Sequence, residues 1–187
     1  MNYKRLFDLT ISFLLLIVLF LPFIFIYIMI ILTSSTPAIY WSKRIGKNNK
    51  TFKMPKFRTM RNFTPEVPTD QLQKRKQWLT PLGLILRKTS IDELPQLWSV
   101  LVGDMSLIGP RPSLHNQYDL IKMRTDLGIH KLRPGITGWA QINGRDDVKL
   151  EKKVSFDEYY LRNYSFKLDL KIFFLTIYKI LIIEGAY

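Results

Sequence analysis

An uninterrupted apolar segment near the N-terminus most constrains how this chain can fold. Residues 13–32 are 20 consecutive residues, apolar apart from Tyr27, and no charged residue stands between Asp8 and Lys43. About 20 residues of helix cross the hydrocarbon core of a bilayer. The sequence therefore predicts a membrane anchor, which we assign to residues 1–38.

Two features bear on whether this anchor spans the membrane or re-enters it. Pro22 stands within the apolar run, where it removes a backbone hydrogen bond and kinks a helix. Both flanks of the run are basic, with Lys4 and Arg5 before it and Lys43, Arg44 and Lys47 after it. Basic flanks favour the cytoplasm, so a helix–break–helix hairpin kinked at Pro22 keeps both on one side. A proline-kinked spanning helix is the alternative.

Charge and cysteine content limit the partners and the chemistry. The 187 residues include 28 Lys and Arg against 15 Asp and Glu, a net charge of +13. This surplus favours polyanionic partners: nucleic acid, anionic lipid or phosphorylated substrates. The absence of cysteine excludes disulfides, thiolate zinc sites and cysteine nucleophiles. His115 and His130 lack metal-ligand spacing and are interpreted as ordinary surface or core residues.

Residues 39–187 are predicted to form a mainly α-helical domain with one small β-hairpin. The hairpin, residues 39–61, has β-branched and aromatic stretches around the turn-rich cluster 46–49. Thr80 followed by Pro81 is typical of a helix start. Loops are predicted at 62–70, as a lid over substrate, at 109–112 and at 133–145. Helices are predicted from near Gln71 and at about 81–88, 92–102, 151–162 and 166–183, the last lying in the membrane interface or packed on the domain.

The hairpin is strongly basic. Eight basic residues and no acidic one lie between Lys43 and Arg61. One interpretation is a solvated rim that holds anionic lipid headgroups, with each charge contributing about 1 kcal/mol. The other is a wall that binds substrate phosphates. The sequence supports both.

The adjacent acids Asp92 and Glu93 are the first candidate for chemistry. A capping box with Ser90 as N-cap and Glu93 at N3 is the simpler interpretation. Pro95 disfavours it, because proline at the fifth helical position removes a helical hydrogen bond. With Asp92 as N-cap, the helix dipole is predicted to lower its pKa and keep it ionised. An ionised carboxylate attacks phosphorus or holds a divalent cation, and Glu93 supplies a second hard oxygen ligand or a base.

Two further loops carry polar groups suited to phosphate. Arg111 lies between Pro110 and Pro112, so its guanidinium projects from a stiff backbone, which suits bidentate phosphate recognition or marks a stiff surface turn. Arg145 ends a segment with glycines at 135, 138 and 144, which permit close approach of a ligand to the backbone. These glycines match neither a P-loop nor a dinucleotide fingerprint, so neither ATP nor NAD is indicated.

Taken together, these motifs resemble the monotopic phosphoglycosyl transferases, the bacterial sugar transferase family. The resemblance runs from residues 4–8 to about residue 181. It is dense at residues 56–60 (KFRTM), 86–97 (LRKTSIDELPQL), 103–112 (GDMSLIGPRP) and 133–145 (RPGITGWAQINGR). Several long motifs in one order are far more specific than any one of them.

The resemblance implies a reaction. The Asp of the family's Asp-Glu dyad, matched by Asp92, attacks the sugar-bearing phosphate of a UDP-sugar, UMP leaves, and a phosphosugar stays covalently bound. Polyprenyl (undecaprenyl) phosphate takes it in a second, ping-pong step. Mg²⁺ is the implied cofactor, with Asp92 and Glu93 as ligands. Small members of the family favour N-acetylated amino sugars, which is the expected substrate class here.

The remaining site residues also come from the resemblance. Arg111, Arg145, Arg58 and Lys56 are assigned to the substrate phosphates. Gly138, Gln141 and Asn143 are assigned to the loop that holds the nucleotide and sugar. The kink proline corresponds to Pro22. Here Leu21 precedes it, where the family often has Ser, so the kink has one fewer local hydrogen-bond partner.

The implied partners are a UDP-sugar, polyprenyl phosphate and anionic membrane lipid, without nucleic acid and with a homodimer among the allowed assemblies. The implied location is the cytoplasmic face of a bacterial inner membrane, with residues 39–187 as the catalytic domain and the anchor re-entrant. Two rival interpretations stay open. One is a membrane-tethered, catalytically inert module that binds polyanions. The other is a spanning protein with a signalling or scaffold role.

Overall fold

A computed structural model describes residues 3–34, 36–65, 67, 75–144 and 148–182. The helices are α1 (Tyr3–Val18), α2 (Phe20–Thr33), α3 (Arg75–Trp78), α4 (Pro81–Lys88), α5 (Gln96–Val102), α6 (Tyr118–Asp126), α7 (Trp139–Asn143), α8 (Leu150–Arg162) and α9 (Phe166–Leu181). The strands are β1 (Ile39–Ile45), β2 (Thr51–Phe57), β3 (Ser106–Ile108) and β4 (Gly135–Thr137). The predicted fold class, mainly helical with a small antiparallel hairpin, is confirmed. The predicted helix start near Gln71 and residues 66 and 68–70 of the predicted lid lie outside the described residues.

Helices α1 and α2 form a bent pair in place of one long helix. They meet at Leu19 with an angle of 63°. Pro22 lies in the first turn of α2 and has no N–H to bond the carbonyl of Val18, so the bend falls just before the predicted kink residue. In the described part of the chain no single helix is long and apolar enough to cross a bilayer. Taken together, α1 and α2 are long and apolar enough, but they form a bent pair.

The first hairpin pairs β1 and β2 as predicted. The strands are antiparallel, with Ile39 opposite Phe57 and Ile45 opposite Thr51. Asn48 and Asn49 in the turn have φ of 56° and 59°, a left-handed conformation that asparagine tolerates better than most residues. The basic residues of β2 are thereby held on a regular strand.

A second strand pair corrects the prediction that residues 133–145 are a loop. β4 lies parallel to β3, and α7 follows it. A Cβ at Gly135 or at Gly138 would collide with the backbone of Gly109. These glycines thus let two segments of the chain approach each other closely.

The segment before α5 is also different from its prediction. Thr80 caps α4 as expected, because its Oγ1 accepts a hydrogen bond of 2.9 Å from the Gly83 N–H. The helix predicted to start at Asp92 is wrong. Ser90 adopts a left-handed conformation with φ of 57° and makes no capping hydrogen bond, a 3-10 turn covers Ile91–Glu93, and α5 begins only at Gln96.

The first turns of α1 are bonded to the rest of the domain. The contacts are from Lys4 Nζ to Asp169 Oδ2 (2.8 Å), from Arg5 Nη1 to the Val100 carbonyl (2.6 Å) and from the Ser106 hydroxyl to Asp8 Oδ2 (2.8 Å). Asp8 is 1% exposed. Lys4 and Arg5, predicted as a basic flank of the membrane run, are therefore also structural contacts of the domain. The division of the chain at residue 38 stays a prediction.

The hydrophobic core lies between α1, α5, the two strand pairs, α8 and α9. Its buried members are Met54, Leu97, Val100, Met105, Leu107, Ile108, Ile142, Tyr160 and Ile172. A smaller cluster joins α2 to β2 and α4 through Ile30, Phe57 and Leu86. The two clusters hold β2 and the 3-10 turn before α5 next to each other.

The C-terminal helices match their predictions. α8 spans the predicted range within one residue, and α9 begins after Ser165, whose hydroxyl accepts from the Leu168 N–H. Ile172 of α9 is fully buried, so this helix packs on the domain. Phe174 and Tyr178 on the same helix are exposed.

Candidate functional site

The two predicted acids lie on the 3-10 turn Ile91–Glu93, between α4 and α5. Asp92 is buried, with 7% of its surface exposed. The left-handed backbone at Ser90 ends α4 sharply and starts this turn. A buried carboxylate is uncommon unless charged or hydrogen-bonding groups compensate it. The surroundings of Asp92 therefore decide what it can do.

Arg111 is held by the neighbouring acid. Its Nη2 lies 2.6 Å from Glu93 Oε1, and its Nη1 lies 3.4 Å from Glu93 Oε2. This forked contact fixes the plane of the guanidinium. The Arg111 side chain is still 43% exposed, so part of it faces outward from the pair.

The loop that carries Arg111 is fixed through its backbone. Four consecutive carbonyls accept hydrogen bonds from three other parts of the fold, which are β1, β4 and α6. The Pro110 carbonyl accepts from Gly135 N (2.9 Å), and the Arg111 carbonyl accepts from Arg124 Nη1 (2.7 Å). The Pro112 carbonyl accepts from Arg44 Nη1 (3.1 Å), and the Ser113 carbonyl accepts from Ile45 N (3.0 Å). Because prolines also restrict the loop at 110 and 112, Arg111 stands on a stiff backbone, as predicted.

Three more basic side chains act on the dyad. Lys56 comes from the end of β2, and its charge lowers the pKa of both acids. Arg87, in the last turn of α4, donates from Nε to the Thr59 hydroxyl at 3.0 Å. Arg44 of β1 donates from Nε to the Ser42 hydroxyl at 3.0 Å. The dyad thus lies in a strongly positive environment.

The pKa of Asp92 moves in the direction opposite to its prediction. Burial raises the pKa of Asp92 to about 6, and the charge of Glu93 adds to the rise, while Lys56, Arg87 and Arg111 oppose it. The predicted lowering by a helix dipole is wrong, because no helix begins at Asp92. A carboxyl group with this pKa is mostly ionised at neutral pH and protonated in mild acid.

Burial and neighbouring charges also change the pKa values of Glu93 and Lys56. Burial alone would raise the pKa of Glu93, but Arg111, by charge and hydrogen bonds, and then Lys56 and Arg44 lower the pKa of Glu93 below its usual range. Burial, followed by repulsion from Arg44 and Arg87, lowers the pKa of Lys56 to about 8. Glu93 therefore stays ionised, and Lys56 begins to lose its proton just above neutral pH.

Arg58 and Asn143, two other predicted site residues, contact groups outside the dyad. Arg58 shares the Tyr40 ring with Lys56, and its Nε donates to the Pro37 carbonyl at 2.8 Å. Asn143 donates to the Trp139 carbonyl at 2.8 Å within α7. Arg145 lies outside the described residues.

Gly138 and Gln141 lie beside the start of the Arg111 loop. The Cβ that Gly138 lacks would collide with the Gly109 carbonyl and would lie 2.9 Å from Gln141 Oε1. Both polar atoms of the Gln141 side chain are buried without a hydrogen-bond partner among the described residues. These two positions are thereby adjacent to the loop that positions Arg111.

The fit of the site to a divalent cation rests on two acids. Among the described residues no group of three His, Cys, Asp or Glu side chains is placed to hold a metal ion. Mg²⁺ often binds through one or two carboxylates together with substrate phosphates and water. Asp92 and Glu93 fit that mode, although Arg111 already occupies both Glu93 oxygens.

Sequence reasoning missed Arg44, Arg87 and Arg124. Arg44 and Arg87 stand inside stretches that were singled out, the basic hairpin and the motif at 86–97, but nothing in the sequence indicates that they converge on one turn. Arg124 belongs to no such stretch. Only the fold brings it to the Arg111 carbonyl.

Comparison with known proteins identifies sugar transferases as the relatives of this chain. The chain matches the family described as bacterial sugar transferase over residues 1–182. It is 43% identical over 187 residues to an uncharacterized sugar transferase, EpsL, of Bacillus subtilis, covering 97% of this chain and 89% of that protein.

Two relatives whose names give a reaction are longer than this chain. The chain is 40% identical to UDP-glucose:undecaprenyl-phosphate glucose-1-phosphate transferase of Klebsiella pneumoniae, covering 100% of this chain and 42% of that protein. It is 36% identical to undecaprenyl-phosphate galactose phosphotransferase of Salmonella typhimurium, covering 98% of this chain and 41% of that protein. The chain thus spans less than half the length of these two relatives.

Proposed function

The chain belongs to the bacterial sugar transferase family, and from this premise we propose that it transfers a sugar-1-phosphate from a UDP-sugar to undecaprenyl phosphate, with release of UMP. The observation that carries the proposal is the dyad of buried Asp92 and partly buried Glu93, held by Arg111 and surrounded by Lys56, Arg44 and Arg87. A single nucleophilic carboxylate among fixed cations suits chemistry on a diphosphate. The names of relatives supply the donor and acceptor classes.

In the first step the Asp92 carboxylate attacks the sugar-bearing phosphorus of the UDP-sugar. A new bond forms between an Asp92 oxygen and that phosphorus, the bond to the bridging oxygen breaks, and UMP leaves with the electron pair. The product is a mixed anhydride of Asp92 and the sugar phosphate. The pKa of Asp92, about 6, leaves the carboxylate ionised at neutral pH and basic enough to be a competent nucleophile.

In the second step an oxygen of undecaprenyl phosphate attacks the same phosphorus. The bond from Asp92 to phosphorus breaks, the carboxylate is restored, and the lipid diphosphate sugar leaves. The two substrates thus react in turn at one carboxylate, which gives ping-pong kinetics.

The basic residues stabilise charge that develops on the phosphoryl oxygens. Lys56, Arg44 and Arg87 are anchored by their own protein contacts, so they need little reorganisation during the reaction. The outward face of Arg111 is placed to meet a phosphate while Glu93 holds its plane. Arg145 and Arg58 complete the proposed phosphate-binding set.

We include Mg²⁺ as the cofactor. Asp92 and Glu93 would be its ligands, with Glu93 keeping its contact to Arg111. Bound with the substrate phosphates, the ion neutralises part of the charge on the diphosphate. The residues of this chain position that diphosphate and supply the nucleophile.

Two donor classes remain candidates. The small members of the family point to an N-acetylated amino sugar, whereas the named relatives act on glucose or galactose. The test is a panel of UDP-glucose, UDP-galactose and UDP-N-acetylated amino sugars with undecaprenyl phosphate and Mg²⁺, followed by UMP release. One donor should give UMP and a lipid-linked product. No UMP from any donor would leave the inert polyanion-binding module as the better account.

We also propose that the anchor is re-entrant and that the domain lies on the cytoplasmic face. The 63° bend between α1 and α2 and the two basic flanks support this. Since the chain has no cysteine, single cysteines at position 2 and at exposed Lys53 are unique labels. An impermeant thiol reagent should miss both in intact cells and reach both in inside-out vesicles. Labelling of position 2 alone from outside would indicate a spanning helix.

A further inference from the structure

A buried ion pair lies directly behind the Arg111 loop. Arg124 of α6 donates from Nε and Nη2 to Asp157 Oδ2 of α8, at 3.0 and 2.6 Å. Its remaining Nη1 donates to the Arg111 carbonyl at 2.7 Å. One planar guanidinium therefore joins α6 and α8 to the residue that holds Glu93.

The carbonyl of Arg111 is an effective point at which to hold this loop. Prolines on both sides of Arg111 have no N–H, so the loop can be tied mainly through its carbonyls. The carbonyls before and after it are bonded to a glycine of β4 and to Arg44 of β1. Arg124 supplies the tie at the residue whose side chain meets the dyad.

The burial of this pair indicates a role other than stability alone. Arg124 is 8% exposed and Asp157 is 1% exposed. Taking two charges out of water offsets most of their attraction, so a buried ion pair is weak support for a fold by itself. A second Arg–carboxylate pair lies on α8, where Arg162 Nη2 is 2.7 Å from Glu158 Oε1. This pair is open to solvent and lies outside the site described above.

We propose that Arg124, oriented by Asp157, is a positioning residue that sets the Arg111 guanidinium against Glu93 and the substrate phosphate. The proposal rests on the proposed function for its catalytic consequence, but its structural part stands on the contacts alone. Lysine at position 124 retains the charge for Asp157. It lacks the planar fork that reaches Asp157 and the Arg111 carbonyl together.

The catalytic test compares Arg124→Lys with Arg162→Lys, the same change in the exposed pair of α8. Single-turnover UMP release from the UDP-sugar, without lipid acceptor, reports the first step. Because a displacement of about 1 Å reduces catalysis by up to roughly 100-fold, we expect Arg124→Lys to slow this step by roughly 10- to 100-fold. Arg162→Lys should behave like the wild-type protein.

A double-mutant cycle separates positioning from a general structural effect. If Arg124 acts through Arg111, adding Arg124→Lys to an Arg111→Lys protein should slow UMP release by much less than it slows the wild-type protein. A merely structural role would reduce both backgrounds by the same factor. Equal factors would therefore overturn the proposal.

Hydrogen exchange gives a readout that is independent of activity. Arg124→Lys should raise amide exchange in the peptide covering residues 106–117 while the core helix α5 stays protected, and Arg162→Lys should raise neither. Asp157→Asn, which keeps an acceptor for Arg124, serves if the lysine variant does not fold, with the same localised change expected. Unchanged exchange in residues 106–117 would refute the tie. A wild-type protein that releases no UMP would refute the proposed function and leave this exchange test intact.

Discussion

The guanidinium of Arg111 and the carboxylate of Glu93 form a forked contact, with Nη2 2.6 Å from Oε1. Glu93 therefore has two effects in the site. It holds the plane of Arg111, and its charge helps to raise the pKa of Asp92. Arg111 in turn keeps Glu93 ionised by lowering its pKa. The dyad thus has one carboxylate that holds the Arg111 guanidinium, and we propose that the other, Asp92, is the nucleophile.

Replacement of Glu93 by glutamine should move the acid limb of the pH–rate profile. Glu93 raises the pKa of Asp92 by its charge, so removal of that charge lowers the pKa of Asp92 and keeps it ionised to lower pH. Activity in the wild-type protein should fall as the pH drops through about 6. In Glu93→Gln the fall should come at lower pH, alongside a reduced maximal rate. An acid limb at the wild-type pH would contradict this coupling; Glu158→Gln is the matched control.

Replacement of Lys56 by arginine should extend activity to higher pH. The pKa of Lys56, lowered by burial to about 8, means that its charge is lost as the pH rises through that value. Arginine stays protonated throughout this range. The alkaline limb of first-step UMP release should therefore move upward in Lys56→Arg. The same change at exposed Lys53, three residues earlier on β2, should leave the alkaline limb unchanged.

Replacement of Asp92 by asparagine should stabilise the fold above pH 6. Since the pKa of Asp92 is raised in the folded state, the folded protein favours the protonated group, and ionisation destabilises it as the pH rises through about 6. Asparagine lacks that charge, so we expect a gain of order 1 to 2 kcal/mol at pH 8 and little gain at pH 4. Chemical unfolding at the two pH values measures the difference. A loss of stability at pH 8 would count against the pKa assigned here.

Replacement of Tyr160 by phenylalanine should destabilise the junction between α1, α8 and α9. The Tyr160 hydroxyl donates to Asp169 Oδ1 at 2.6 Å and accepts from Lys4 Nζ at 3.2 Å. Removal of a buried hydroxyl that bonds to a charged group costs about 1.5 to 3 kcal/mol of unfolding free energy. Tyr159→Phe is the control, because Tyr159 is half-exposed and stacks on Trp139. Equal losses in both variants would show that this network contributes nothing.

Local signals predicted several elements correctly. The cluster at residues 46–49 located the turn of the first hairpin, where two asparagines have positive φ. Thr80 and Pro81 located the start of α4. In each case the deciding interactions lie within a few residues, so sequence patterns reveal them.

Features that depend on long-range packing were missed or wrong. The parallel pair β3–β4 has three residues in each strand, too few to show a periodic pattern, and it depends on glycines that meet Gly109. The direction of the Asp92 pKa shift depends on burial by distant segments. Arg44 and Arg87 are 43 positions apart in the sequence, and the fold alone brings their charges to Glu93 and Asp92, respectively.

Covalent capture of the sugar phosphate tests the central claim most directly. The protein is incubated with Mg²⁺ and the UDP-sugar that supports UMP release, radiolabelled in the sugar, without undecaprenyl phosphate. The wild-type protein should retain label after denaturation, release one UMP for each label retained, and lose the label when undecaprenyl phosphate is added before denaturation. Asp92→Asn should retain none. Label retained by Asp92→Asn at the wild-type level would contradict the assignment of Asp92 as the nucleophile.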